Sequence, residues 1–295
     1  MTCSATDPVR AATSRCLRWL LCFCAALSGF SAAADPVCGS VVKLAAHDRS
    51  SLHYAHAPPA EGLASRAVLV LLAGGGGHLD LDAEGCARKL TGNSLVRSQA
   101  LFQEAGFVTV LVDAPSDHTG TDGLGGFRIA PEHAADLGKV IADVRQRFDA
   151  PVWLVGTSRG AISAANAASR LSGVSAPDGV VLTSALMEGA IMNKEWVAHS
   201  VFDLPLEAIT MPLLVIGHAE DSCSRSPPER MASITARSGA LREQVVLMTG
   251  GTGKRGLPSV EACAGRTPHG FVGQEAEMVG HIQRFIAGEA PTATP

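Results

Sequence analysis

The residues best suited to chemistry are a serine, an acid and a histidine spread along the second half of the chain. Ser158 sits at the centre of Gly156-Thr157-Ser158-Arg159-Gly160, which follows the apolar run Val152-Trp153-Leu154-Val155 and leads at once into an alanine-rich segment. A strand that ends in G-x-S-x-G and turns directly into a helix lifts the serine Oγ above the sheet. The turn is so tight that residues two before and two after the serine must lack side chains, and Gly156 and Gly160 meet that need. The start of the following helix places its positive dipole end, and the N–H of Arg159, beside any oxyanion formed at Ser158.

A serine hydroxyl is a weak nucleophile until a base takes its proton, and that base must be held through its other ring nitrogen. After a turn of this kind the chain order is serine, acid, histidine. The histidines downstream are His199, His218, His269 and His281. His281 falls inside the last expected helix, His218 at the end of a strand, and His199 in a short connecting segment. His269, in Thr267-Pro268-His269-Gly270, occupies a loop between the last strand and the last helix and is the expected base. The acid belongs in the loop after the strand at 212–217, where Glu220 and Asp221 both qualify. Asp221 is the expected acid because its short side chain suits a tight turn, with Glu220 as its substitute and Asp203 as a weaker alternative. Ala73-Gly74-Gly75-Gly76-Gly77 follows another apolar run, so its amides approach a substrate without Cβ obstruction. Gly75 is the expected second oxyanion donor, Gly76 its alternative. Neither this run nor Gly250-Gly251-Thr252-Gly253-Lys254 continues as a nucleotide-binding motif, the first lacking G-x-G-x-x-G and the second having Arg255 where a P-loop needs Ser or Thr.

The elements that must carry these residues alternate in type. Apolar, β-rich runs predict strands near 41–46, 51–57, 67–73, 107–112, 151–155, 179–184, 212–217 and 243–248. Helical spacing predicts helices near 93–105, 131–147, 159–171, 226–237 and 273–287. Several strands, such as Val68 to Leu72 and Leu213 to Ile216, are continuously apolar, as expected of parallel strands buried on both faces, while the first two are more polar and suit an edge hairpin. The expectation is one α/β domain whose reactive groups gather beyond the carboxyl ends of its strands. His78, Phe127, Arg128 and Arg159 are candidates for the rim of that site.

Composition narrows the function classes. With 46 % hydrophobic and 18 % charged residues the chain can build a core, which excludes disorder as its main state. Residues 1–34 read as an export signal: Arg10, Arg15 and Arg18, then an apolar run from Trp19 to Phe30, then Ala32-Ala33-Ala34 before a cut at Asp35. Twelve apolar residues span only about 18 Å of helix, too short for a bilayer core of roughly 30 Å. The predicted product is a domain of residues 35–295 located in the periplasm or secreted. The net charge of −4 becomes −6 without the leader, so no basic stripe for nucleic acid is expected. Cys38, Cys86, Cys223 and Cys263 remain, an even number suited to two disulfides in an oxidising compartment. Zinc ligation by these cysteines lacks any C-x-x-C or paired-histidine spacing.

With these residues in place, the chain resembles the α/β-hydrolase superfamily, in the manner of compact secreted bacterial serine esterases and dienelactone hydrolases. Gly156 to Gly160 is similar to its nucleophile elbow, Asp221 and His269 to its acid and base, and Gly74-Gly75 to its oxyanion turn. The oxyanion turn departs from the His-Gly pair common among lipases in having Ala73 before Gly74. The resemblance implies a mostly parallel central sheet of about eight strands with helices on both faces. Little or no cap is expected, because the connection between the strands at 179–184 and 212–217 is short. In that fold the acid and histidine loops are neighbours, which pairs Cys223 with Cys263 and leaves Cys38 for Cys86. The implied activity is hydrolysis of an ester-like small or medium substrate through an acyl-enzyme, with no metal or cofactor needed. A peptidase or amidase using the same triad and a catalytically silent binding protein are the alternatives.

Overall fold

The computed structural model describes residues 38–189, 199–257 and 259–289. The expected leader and part of the connection in which a cap would sit lie outside the described residues. Among the described residues eight strands form: β1 (Ser40–Ala45), β2 (Ser51–Ala57), β3 (Ala67–Leu72), β4 (Phe107–Val112), β5 (Val152–Thr157), β6 (Gly179–Thr183), β7 (Leu213–His218) and β8 (Glu243–Met248). They make one sheet in the order β1-β2-β4-β3-β5-β6-β7-β8, in which β1 and β2 are antiparallel and β3 to β8 run parallel. All six residues of β3, β4, β5 and β7 are buried. That accounts for their unbroken apolar sequences.

The α-helices among the described residues are α1 (Ser94–Arg97), α2 (Gln99–Glu104), α3 (Pro131–Phe148), α4 (Arg159–Arg170), α5 (Ala232–Thr235), α6 (Ser259–Ala262) and α7 (Glu275–Ile286). Alternate side chains of each strand serve opposite layers. Val68, Val70 and Leu72 of β3 pack with Leu137, Ile141 and Val144 of α3 and with the alanines of α4. Leu69 and Leu71, together with Trp153 and Val155 of β5, pack with Met278, Ile282 and Phe285 of α7. Each such apolar side chain contributes about 1.5–3 kcal/mol on full burial. α3 opens on Pro131, whose missing N–H is an orphan donor in any case, and closes on Asp149 in a left-handed conformation (φ 44°).

Two expected helices are shorter in the structure. The segment predicted over 93–105 breaks at Ser98 into α1 and α2. The segment predicted over 226–237 is a 3-10 turn (Pro228–Arg230) followed by the four-residue α5, since Pro227 and Pro228 supply no backbone donors. None of the described helices is long and apolar enough to cross a membrane. Disulfides join Cys38 to Cys86 and Cys223 to Cys263.

Candidate active site

Strand β5 enters the elbow between β3 and β6, and the backbone contacts there dictate its sequence. A Cβ on Gly160 would lie 2.0 Å from the Leu72 carbonyl oxygen, and one on Gly156 would lie 2.4 Å from the Gly160 oxygen. Any side chain at either position therefore collides with main chain of β3 or of α4. Ser158 is left at φ 54°, ψ −122°, a conformation that is strained for a residue with a Cβ. Its N–H donates to the Thr183 carbonyl at 2.9 Å, and α4 begins at the next residue. The first turn of α4 thus lies directly beneath the hydroxyl.

His269 arrives from the other side of the sheet on a 3-10 turn, Pro268–Gly270, and is 2 % exposed. Its Nδ1 lies 2.7 Å from Asp221 Oδ2. The other oxygen, Oδ1, accepts the Cys223 N–H at 2.9 Å, which fixes the carboxylate plane. The carboxylate thereby selects the tautomer with the proton on Nδ1 and an acceptor lone pair on Nε2. Nε2 has no hydrogen-bond partner among the described residues. Ser158 and His269 line the same cleft, of about 440 Å³, with Gly75, Leu90, Thr157 and Cys263.

The alternatives considered for these roles are placed elsewhere. Glu220 turns outward, with Arg255 donating to both of its oxygens at 2.7 and 2.9 Å. Asp203 accepts from the Ser200 N–H and hydroxyl in a local cap. His218 is buried against the Gly250 carbonyl and Gln274, and His281 lies on α7 beside Arg284 and Glu277. The rim expectation needs correction: His78, Phe127, Arg128 and Arg159 are not among the described residues that line this cleft. Leu90, Asn93 and the segment 263–266 do so instead. His78 is held on Asp113. Arg159 follows Ser158 but is largely buried, where burial, and then the charge of Arg225, lower its pKa to about 10.

The glycine loop after β3 abuts the nucleophile. A Cβ on Gly74 would meet the Ser158 Cβ at 2.9 Å, and Gly75 has φ 59°. What holds this loop is Arg128, only 2 % exposed, whose Nη2 donates to the Ala73 and Gly75 carbonyls at 3.0 and 3.2 Å and whose Nη1 donates to Ser163 Oγ at 2.7 Å. Burial, and then the charge of Arg159, lower the Arg128 pKa to about 9, so the guanidinium stays protonated at neutral pH. Two further supports were not legible beforehand. Ser184 donates to the His269 carbonyl at 2.7 Å. Arg97 on α1 ties the carbonyls of Gly92, Gly265 and Gly270 together and pairs with Glu275 at 2.7 Å, joining both walls of the cleft to α7. No short motif marks any of the three, because each also holds a backbone carbonyl more than fifty residues away.

No family model and no curated relative matches the chain. Solved structures do match its fold. Est1E from Butyrivibrio proteoclasticus aligns over 85 % of this chain and 98 % of its own at 14 % identity and a TM-score of 0.56. Dienelactone hydrolase from Anabaena variabilis aligns over 85 % and 97 % at 12 % identity and 0.55. An α/β serine hydrolase without a lid from Xanthomonas campestris aligns over 88 % and 98 % at 18 % identity and 0.53. Strand order, crossover layers and these matches agree, and the chain has the α/β-hydrolase fold.

Proposed function

We propose that the chain is a serine hydrolase that cleaves ester-type bonds of small or medium acyl substrates. Ser158 Oγ attacks the carbonyl carbon while His269 Nε2 takes its proton. The N–H groups of Gly75 and Arg159 hold the resulting oxyanion, and Asp221 stabilises the imidazolium. The protonated His269 then gives its proton to the leaving alcohol, leaving an acyl-Ser158. Water, activated by the same histidine, releases the acid and restores the hydroxyl. The observation that carries the reading is the Asp221–His269 pair with Nε2 unpartnered, on the same cleft as a serine held at positive φ. The serine-hydrolase and dienelactone-hydrolase neighbours favour it as well.

The test is a p-nitrophenyl ester series of increasing acyl length, run beside peptide substrates, with labelling by a fluorophosphonate probe. Ester turnover and labelling that both vanish in Ser158→Ala are expected. Wild type that neither labels nor turns over any substrate would establish a silent fold, and faster turnover of peptides would establish an amidase. Export belongs to the same proposal, with cleavage before Asp35 releasing the mature chain. N-terminal sequencing of protein recovered from the periplasm or medium should begin at Asp35.

A further inference from the structure

At the hairpin edge of the sheet, away from Ser158, the fold gathers side chains that the proposed hydrolysis does not use. His47 lies in the 3-10 turn between β1 and β2, where the Ser50 hydroxyl donates to its carbonyl at 2.7 Å. β2 pairs antiparallel with β4, so this turn meets the loop that leaves β4. The turn from Pro115 to His118, closed by a 2.8 Å backbone bond, presents Asp117 and His118 to it. His47 Nε2 is 3.0 Å from Asp117 Oδ2, and one ligand atom from each of His47, Asp117 and His118 lies within 4.8 Å of the others. Ligands about 2.0–2.1 Å from a tetrahedral zinc sit roughly 3.3 Å from one another, so the His47–Asp117 pair is already at ligand spacing and the His118 atom would have to close by at most about 1.5 Å.

A second observation points the same way. The far nitrogen of His47, Nδ1, lies 2.6 Å from Asp136 Oδ2, a carboxylate on α3 whose side chain is 1 % exposed. Metal-bound imidazoles characteristically donate their other N–H to a buried carboxylate, which fixes the tautomer and raises ligand basicity. Lys139 donates to the remaining Asp136 oxygen at 2.9 Å, and Phe127 stacks on the His118 ring at 4.1 Å, so these supports are themselves held.

We propose that His47 Nε2, Asp117 and an imidazole nitrogen of His118 bind one divalent transition-metal ion of the zinc class, with Asp136 positioning His47 and one coordination position open to solvent. Two imidazoles and one carboxylate suit Zn²⁺, Co²⁺ or Ni²⁺ better than Ca²⁺ or Mg²⁺. The ion would clasp the β1–β2 turn to the loop at 116–130. That loop carries Leu124, whose N–H donates to the Gly76 carbonyl, and Arg128, which holds the glycine loop beside Ser158.

The test is calorimetric titration of the chelator-stripped full chain with Zn²⁺, with the visible spectrum of its Co²⁺ form recorded in parallel. One ion per chain is expected. Binding should weaken at least ~10-fold in His118→Ala and in Asp117→Asn, both on an exposed loop, and by ~10-fold or more in Asp136→Asn, which removes no ligand. Affinity should be unchanged in His269→Ala. Absence of Zn²⁺ binding by wild type would leave a His47 imidazolium bridging Asp117 and Asp136 as the explanation of the cluster and overturn the proposal. Binding that survives His118→Ala but is lost in His269→Ala would assign the ion to the Ser158 cleft and overturn it equally. Should His118→Ala unfold, as judged by circular dichroism, His118→Gln answers the same question.

Discussion

Of the two adjacent carboxylates in the acid loop, only Asp221 reaches an imidazole. On the proposed mechanism Asp221→Asn keeps the fold but favours the wrong His269 tautomer. Its kcat for ester hydrolysis should fall by ~10³–10⁴-fold, whereas Glu220→Gln, which loses only an exposed ion pair, should change kcat by less than about twofold. Steady-state kinetics on one p-nitrophenyl ester separates the two, and equal losses would reverse the assignment. On the same proposal Arg128 acts through the glycine loop, whose Ala73 and Gly75 carbonyls it holds, and not on the substrate. Arg128→Lys keeps a cation but cannot span the Ala73 and Gly75 carbonyls and Ser163 together. Its kcat should fall by ~10-fold or more with KM little changed, since a misplaced oxyanion donor is felt mainly in the transition state. A matching rise in KM instead would indicate a role in substrate binding.

The elements show which parts of the site were readable in advance. The β5–elbow–α4 unit was legible because its constraints are local: two glycines flank a serine within five residues, and steric contacts within that turn demand them. Gly160→Ala should accordingly destabilise the fold by about 3 kcal/mol or more in urea unfolding, as its Cβ would fall 2.0 Å from the Leu72 oxygen. The helices over 93–105 and 226–237 were misread in length because their ends are decided by tertiary packing around Ser98 and by the Pro227-Pro228 pair. The Cys223–Cys263 bond joins the acid and histidine loops across a separation of 40 residues. The double variant Cys223→Ser/Cys263→Ser should lose about 4 kcal/mol of stability on the loop-entropy model, and its kcat should fall as well. Cys38→Ser/Cys86→Ser, whose bond ties the chain before β1 to the loop at 82–86, should lose stability without that loss of kcat.

For the molecule as a whole, burial has an acid-pH consequence. His133 on α3 is 2 % exposed and bonds Ser163 at 2.8 Å. Burial first, and then the charges of Arg128, His118 and His47, lower its pKa to about 3. In the unfolded chain the same group takes up a proton near its ordinary value of about 6.5. Between those values the unfolded state binds more protons, so stability falls as pH drops through 6.5 toward 3 and is unaffected by this group above 6.5. His133→Gln should flatten the fall in urea midpoint between about pH 6.5 and 4, and an unchanged slope would show that other groups govern it. The sequence alone determined the alternation of strands and helices, the elbow around Ser158, the loop that carries His269 and the four cysteines available for bonding. Each of these rests on periodicity or steric demands acting over a few neighbouring residues. Only the tertiary structure decided that Asp221 and not Glu220 meets His269, that Arg97, Arg128 and Ser184 brace the loops, and that His47 meets Asp117. These partners are held together by the order in which strands pair, bringing groups 48 residues apart in one case and 70 in another to within 3.0 Å, and no local pattern encodes such a meeting.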